Sequence, residues 1–187
     1  MTTTGLLLAA GAGRRMGRPK ALVDNWLVDA VTTLREGGCG RVVVVLGAAA
    51  DEVRPLLEGY DVEVVVADDW AEGMGASLRT GLRSLTDSAT AALVTLVDLP
   101  DVGSDVVHRL LDRPVSADTL VRATYDETPG HPVLIGRDHW AGVIESAIGD
   151  QGARSYLGRH EVALVECGDL ASGRDVDDPT GRQPAPE

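Results

Sequence analysis

The sequence predicts an α/β fold built on a doubly wound, mostly parallel sheet. Short apolar runs of strand length alternate along the chain with stretches of helical periodicity. Two of those runs, residues 41–46 and 91–97, are apolar on successive rather than alternate residues, as strands covered on both faces are. The chain also contains no Phe, so its core is one of Val, Leu and Ala, the kind a helix-covered parallel sheet uses.

Residues 6–10 form the first apolar run, and a Gly-rich loop follows it. A helix over 26–36 stops at Gly37-Gly38, because glycine readily leaves the helical region. Residues 41–46 are the second strand, 51–58 a short helix and 62–66 the third strand. Over 75–85, Leu78, Leu82 and Leu85 share one helical face. Residues 91–97 are a further buried strand, and 104–111 a helix with Ser104 as its expected cap. Strands at 120–124 and 132–135 flank Asp126-Glu-Thr-Pro-Gly130. Residues 138–148 and 153–157 read as helices, and 162–167 as the last strand. In such a sheet ligands bind beyond the carboxyl ends of the strands.

At 187 residues the chain suits a single domain over residues 1–179, with a Pro/Gly-rich flexible tail over 180–187. Its formal net charge of −12 argues against nucleic acid or an anionic membrane as a partner. No apolar run approaches the ~20 residues of a membrane span. Met1-Thr-Thr-Thr4 lacks the charged start of a secretion signal. Cys39 and Cys167 lack metal-ligand spacing, so a cytoplasmic setting is expected, with both as packing residues.

Against that acidity, Gly11-Ala-Gly-Arg-Arg-Met-Gly-Arg-Pro-Lys20 stands out. Glycines let backbone N–H groups approach an anion, and Arg14, Arg15, Arg18 and Lys20 crowd the same loop. A small phosphorylated ligand fits this better than a polyanion, which needs a broad basic face. The loop is not a Walker A sequence, since Ala21 follows Lys20 where Ser or Thr is required. It nearly fits a dinucleotide fingerprint, but no acid follows the second strand, which runs into Leu46-Gly-Ala-Ala49. With few apolar anchors, the segment from Lys20 to Trp26 is expected to be loosely held.

Two acidic features stand out. Asp98 follows a buried strand and precedes Leu99-Pro100, which aims a carboxylate into the ligand crevice. It suits a Mg²⁺ carried by a triphosphate, and it also suits a turn. In Asp175-Val-Asp-Asp-Pro179, an extended backbone puts Asp175 and Asp177 on one side; a solvated acidic turn is the other reading. The Gly73-Met-Gly-Ala-Ser77 stretch opens a helix, where free N–H groups gather and Ser77 can cap the helix or bond a base. A single His before Pro, such as His131, is more often a structural loop residue.

The order of residues in the first loop resembles the opening of the MobA-like NTP transferases, L-A-A-G-x-S-x-R-M-G-x-x-K, with only the Ser missing. Gly73-Met-Gly-Ala-Ser-Leu78 resembles the G-M-G-S-S-L loop of the molybdenum cofactor cytidylyltransferase branch. Gly130-His-Pro-Val-Leu134 is similar to G-H-P-V-L, and Gly149-Asp-Gln-Gly-Ala-Arg154 to G-D-x-G-A-R. Asp175-Val-Asp-Asp-Pro179 resembles a D-I-D-T-P-like segment, with Asp178 in place of Thr and Thr180-Gly181 replacing an acidic pair. The likeness runs in matching order from Leu6 to Pro179. It departs at residues 21–25, where the family has a longer stretch with a Gly-x-Pro turn.

The resemblance implies a Rossmann-like sheet of the nucleotide-diphospho-sugar transferase type and Mg²⁺-dependent nucleotidyl transfer. A phosphate on a small acceptor attacks the α-phosphorus of a nucleoside triphosphate, and pyrophosphate leaves. Lys20, Arg15 and Asp98 would carry catalysis. Ala9, Ala10, Gly11, Gly13, Met16, Gly17 and Lys20 would bind the nucleotide, with Gly73, Met74, Gly75 and Ser77. Asp98 and Asp177 would hold Mg²⁺, and His131, Asp150 and Arg154 would meet the acceptor. Leu-Ala-Ala-Gly is closer to the cytidylyl than to the guanylyl branch, which implies CTP. Molybdenum cofactor is then the implied acceptor, with a molybdenum hydroxylase as a further partner. Two other readings stay open. One is a nicotinamide-dependent oxidoreductase of the nicotine-blue reductase type, which resembles the same family. The other is a nucleotide-binding chaperone that delivers the cofactor without making it.

Overall fold

A computed structural model describes residues 2–177. The expected tail over 180–187, and Asp178 and Pro179 of the acidic motif, lie outside the described residues. Seven strands form one sheet: β1 (Thr2–Ala9), β2 (Arg41–Leu46), β3 (Glu63–Val66), β4 (Ala89–Leu96), β5 (Leu120–Tyr125), β6 (Thr128–Gly136) and β7 (Ala163–Glu166). Their order across the sheet is β3-β2-β1-β4-β6-β5-β7. β6 runs antiparallel to β4 and β5, and the remaining pairs are parallel. The helices are α1 (Trp26–Glu36), α2 (Ala50–Val53), α3 (Met74–Ser84), α4 (Ser104–Leu111), α5 (Arg137–Ser146) and α6 (Arg154–Leu157). None is long and apolar enough to cross a membrane.

The two-residue period of a strand divides the core in two. Leu7, Val44, Leu93 and Leu134 face one layer, with Leu27, Val31 and Leu34 of α1 and Val106, Val107 and Leu110 of α4. Leu6, Val45, Val94 and Ile135 face the other, with Leu78 and Leu82 of α3 and Val143 of α5. The inner strands β2 and β4 are therefore covered on both faces, which is why 41–46 and 91–97 read as continuous apolar runs. Leu93 of β4 is fully buried. Leu93→Ala is expected to cost about 2–5 kcal/mol, read as a fall in the urea midpoint with an unchanged slope.

Several local expectations change. Pro55 cannot donate a helical hydrogen bond, so the helix expected over 51–58 becomes α2 followed by a 3-10 turn, Arg54–Leu57. Ser104 is the first residue of α4 rather than its cap; Gly103 holds that position. The strands at 120–124 and 132–135 extend into a hairpin, because Asp126 and Glu127 both take positive φ (49° and 66°) and close a tight turn. Pro129 and Gly130 therefore belong to β6. The segment after Lys20 is well anchored, contrary to expectation. Lys20–Leu22 forms a 3-10 turn, Ala21 and Val23 are buried, and the Trp26 amide donates to the Val23 carbonyl at 3.1 Å.

Candidate active site

β1 pairs with β2 on one side and β4 on the other, so the strand order reverses between β1 and β4. The loops leaving their carboxyl ends diverge and open a crevice. The Gly-rich loop leaves β1. Asp98 leaves β4, just beyond the Val97 amide, which still donates to the Leu8 carbonyl at 3.2 Å. The Gly-rich loop doubles back at Gly13, where φ is +59° and a Cβ would collide with the Arg18 carbonyl; only glycine permits that path.

Most of the residues expected to hold a nucleotide line one cavity of about 510 Å³ in this crevice. They are Ala9, Ala10, Gly11, Gly13, Lys20, Gly73, Met74 and Ser77, and Arg15 and Asp98 join them. Three do not. Met16 is buried under the loop and faces a smaller recess beside Asp177. Gly17 is exposed, and Gly75 packs against the Ala147 carbonyl. Ser77 lies inside α3, whose cap is Gly73, so it does not cap the helix. Asp150, expected on the acceptor side, lines this first cavity instead. The cause is the close approach of the Gly149–Gln151 turn to Gly73, whose φ of +116° and bare Cα leave room for Asp150.

The acids converge from opposite ends of the chain. The Val176 amide donates to the Asp98 carbonyl at 3.0 Å, which lays residues 175–177 beside the end of β4. The Ser172 amide and hydroxyl donate to Asp101 at 2.7 and 2.5 Å and fix the approach. One oxygen each of Asp98, Asp175 and Asp177 then falls within 4.8 Å of the others. Lys20 Nζ donates to Asp98 Oδ2 at 2.5 Å and to Asp177 Oδ1 at 2.7 Å. Arg15 donates to Asp177 Oδ2 at 2.9 Å. Two of the four clustered cations are thus neutralised by acids across the crevice.

The electrostatics follow from this geometry. Burial works against the Lys20 ammonium, but its hydrogen bonds to Asp177 and Asp98 prevail and raise its pKa. Burial raises the Asp98 carboxyl, with Lys20 offsetting part of the effect. Asp177 is lowered, first by its hydrogen bond from Lys20. Asp98 Oδ1 is buried with no hydrogen-bond partner among the described residues. An orphaned carboxylate oxygen beside two further carboxylates fits a hard divalent cation, which prefers oxygen ligands.

A second cavity, also about 510 Å³, holds the expected His131 and Arg154 together with Arg122 and Tyr125. Met74 and Leu96 line both cavities. Asp98 lines the first and Asp175 the second, so the acid cluster stands where they meet. Sequence reasoning passed over Arg122, and over Trp70, which lines the first cavity. Asp175 joins Asp177, the residue expected at the metal, as the alternation of an extended segment implies.

Comparison with known proteins gives consistent relationships. The profile of the MobA-like NTP transferase domain matches residues 5–164. A nicotine blue oxidoreductase of Paenarthrobacter nicotinovorans is 40% identical over 189 residues, covering 93% of this chain and 91% of that protein. A molybdenum cofactor guanylyltransferase of Rhodobacter capsulatus is 30% identical over 147 residues, covering 77% of this chain and 68% of that protein. Among solved structures, Rv0371c of Mycobacterium tuberculosis H37Rv superposes with a TM-score of 0.82 at 28% identity, over 97% of this chain and 95% of that one. A structure of Rv0371c in complex with manganese gives a TM-score of 0.73 at 26% identity, over 89% of each chain.

Proposed function

We propose that this chain, which belongs to the MobA-like NTP transferase family, transfers a nucleotidyl group from CTP to a phosphorylated small acceptor. An acceptor phosphate oxygen forms a bond to the α-phosphorus. The bond from the α-phosphorus to the bridging oxygen breaks, and its electron pair leaves with pyrophosphate. A phosphate monoester is already ionised at neutral pH, so no side chain has to remove a proton.

The observation that carries this reading is the meeting of two cavities at an acid cluster and a lysine. One cavity suits the triphosphate and the other the acceptor. The loop amides, Lys20 and Arg15 bind and orient the β and γ phosphates, and they stabilise charge as it moves onto pyrophosphate. A divalent ion held by Asp98, Asp175 and Asp177, in our reading Mg²⁺, would supply charge neutralisation at the α-phosphate. Trp70, which lines the first cavity, would cover the nucleotide. The choice of CTP rests on Leu8-Ala-Ala-Gly11 and Gly73-Met-Gly-Ala-Ser-Leu78. Molybdenum cofactor is the proposed acceptor, on the same motifs and the likeness to the guanylyltransferase. A molybdenum hydroxylase would then receive the product.

A second reading, a nicotinamide-dependent oxidoreductase, is favoured by the 40% identity to the nicotine blue oxidoreductase. Against it, β2 runs into Gly47 and Ala48, which offer no carboxylate to a ribose hydroxyl. Hydride transfer also leaves the acid cluster and Lys20 without a role. Incubation with Mg²⁺, each nucleoside triphosphate and molybdenum cofactor is expected to release pyrophosphate, fastest with CTP. A parallel incubation with NADPH and nicotine blue is expected to consume no NADPH. NADPH consumption without pyrophosphate release would replace the transferase reading with the oxidoreductase one.

A further inference from the structure

The second cavity carries charge that the chain does not balance. Arg122 projects from β5, and its Nε donates to the Gly130 carbonyl at 2.9 Å and its Nη2 to the Pro129 carbonyl at 3.2 Å. Arg154 opens α6 at the same cavity. Among the described residues neither guanidinium forms an ion pair. They are close enough to disturb one another: burial lowers the pKa of Arg122, and the charge of Arg154 lowers it further. His131 lines the same cavity, and burial together with the two arginines holds its imidazole down to about 4. At neutral pH, then, three guanidiniums, those of Arg122, Arg154 and Arg174, and a neutral imidazole line one space with two carboxylates. Of the acids lining it, Asp175 belongs to the acid cluster and Asp126 to the hairpin turn.

We propose that Arg122 and Arg154 form a subsite for the phosphate dianion of the acceptor, and that this pair selects a phosphorylated acceptor over a carboxylated one. The proposal rests on the transferase reading only in calling the ligand an acceptor. Two guanidinium forks match a tetrahedral dianion in charge and in donor geometry. A carboxylate carries one charge and would leave one arginine unbalanced. Arg122 is preset for the task, since two backbone carbonyls hold its guanidinium before any ligand arrives. His131 gives the site a built-in reporter, because a bound anion beside it favours the imidazolium.

The test uses the full chain, inorganic phosphate and acetate as probes, and no nucleotide. NMR titration of the His131 ring is expected to give a pKa near 4 in chloride, and a higher one in saturating phosphate, which is the monoanion in that pH range. By calorimetry at about pH 8, where phosphate is a dianion, and at matched ionic strength, acetate is expected to bind at least about tenfold more weakly than phosphate. Arg154→Gln removes a guanidinium that makes no hydrogen bond among the described residues, and is expected to weaken phosphate binding at least about tenfold, as is Arg122→Gln. Arg122→Lys keeps the charge but not the fork and is expected to fall between wild type and Arg122→Gln. Equal affinity for phosphate and acetate, or full phosphate binding by Arg154→Gln, would overturn the subsite. The two readings fail separately. Phosphate binding at the pair without pyrophosphate release removes the transferase and keeps the subsite. Pyrophosphate release with an unchanged acceptor KM in Arg154→Gln does the reverse.

Discussion

Asp98→Asn is expected to lower nucleotidyl transfer by about 10²–10³-fold at saturating Mg²⁺, the loss typical of removing one strong electrostatic stabiliser. The amide has nearly the shape of the carboxylate, and its oxygen still accepts from Lys20 Nζ, which now lies 2.5 Å from Asp98 Oδ2. Burial already disfavours the Asp98 charge, so a neutral side chain relieves desolvation while losing one arm of an ion pair. The fold should survive, with circular dichroism unchanged. Affinity for divalent metal should fall, because the amide lacks the charge that a hard cation recruits. Pyrophosphate release at the wild-type rate, in a variant that melts like wild type, would remove Asp98 from the reaction.

The fold was legible where a pattern is local. α1 and β2 fall on the expected residues, because one is set by helical periodicity ended at glycine and the other by an unbroken apolar run. Asp98 was legible for a topological reason, since any acid just past a buried central strand meets the crevice. What was not legible depends on segments far apart in the chain. Lys20 and Asp177 are 157 positions apart, and nothing near either announces the other. Asp150 faces the first cavity because Gly73 admits it, a contact across the crevice that neither motif contains. Arg122 reads as an ordinary polar residue between Val121 and Ala123; the β5–β6 pairing and the placement of α6 bring it to one cavity with His131 and Arg154. The segment at 21–25 misled for a simpler reason: Ala21 and Val23 are small residues, yet both reach the core.

Lys20→Ala is expected to move two measurements in opposite directions. Transfer should fall by about 10²–10³-fold, since the β and γ phosphates lose their nearest ammonium. Affinity for Mn²⁺ or Mg²⁺ without nucleotide should rise about tenfold, a change of about 1.4 kcal/mol. The ammonium bonds Asp98 and Asp177 at 2.5 and 2.7 Å, where it neutralises the acids that a metal would use. A free ion has to displace it, whereas an ion arriving with a triphosphate brings phosphates for Lys20 to follow. Removing Lys20 also exposes the repulsion among Asp98, Asp175 and Asp177, and the pH dependence of stability then has a definite sign. Asp177 is held below its ordinary value first by Lys20, so the stability it contributes is present above the unfolded carboxylate value and is lost as pH falls through its folded one. Asp98 is raised by burial and loses its main offset in the variant, so the stability lost there appears as pH rises through its folded value and vanishes in acid. Both effects place the variant below wild type in Tm at pH 7; the Asp98 difference fades first as pH falls, and the Asp177 difference only below the ordinary carboxylate value of 3.8. Millimolar Mn²⁺ should close the gap at pH 7 as well, by replacing the missing cation. Calorimetric titration and melting curves test this directly. A variant that binds the metal no more tightly than wild type, with the same pH profile of Tm, would show that Lys20 does not guard the acid cluster.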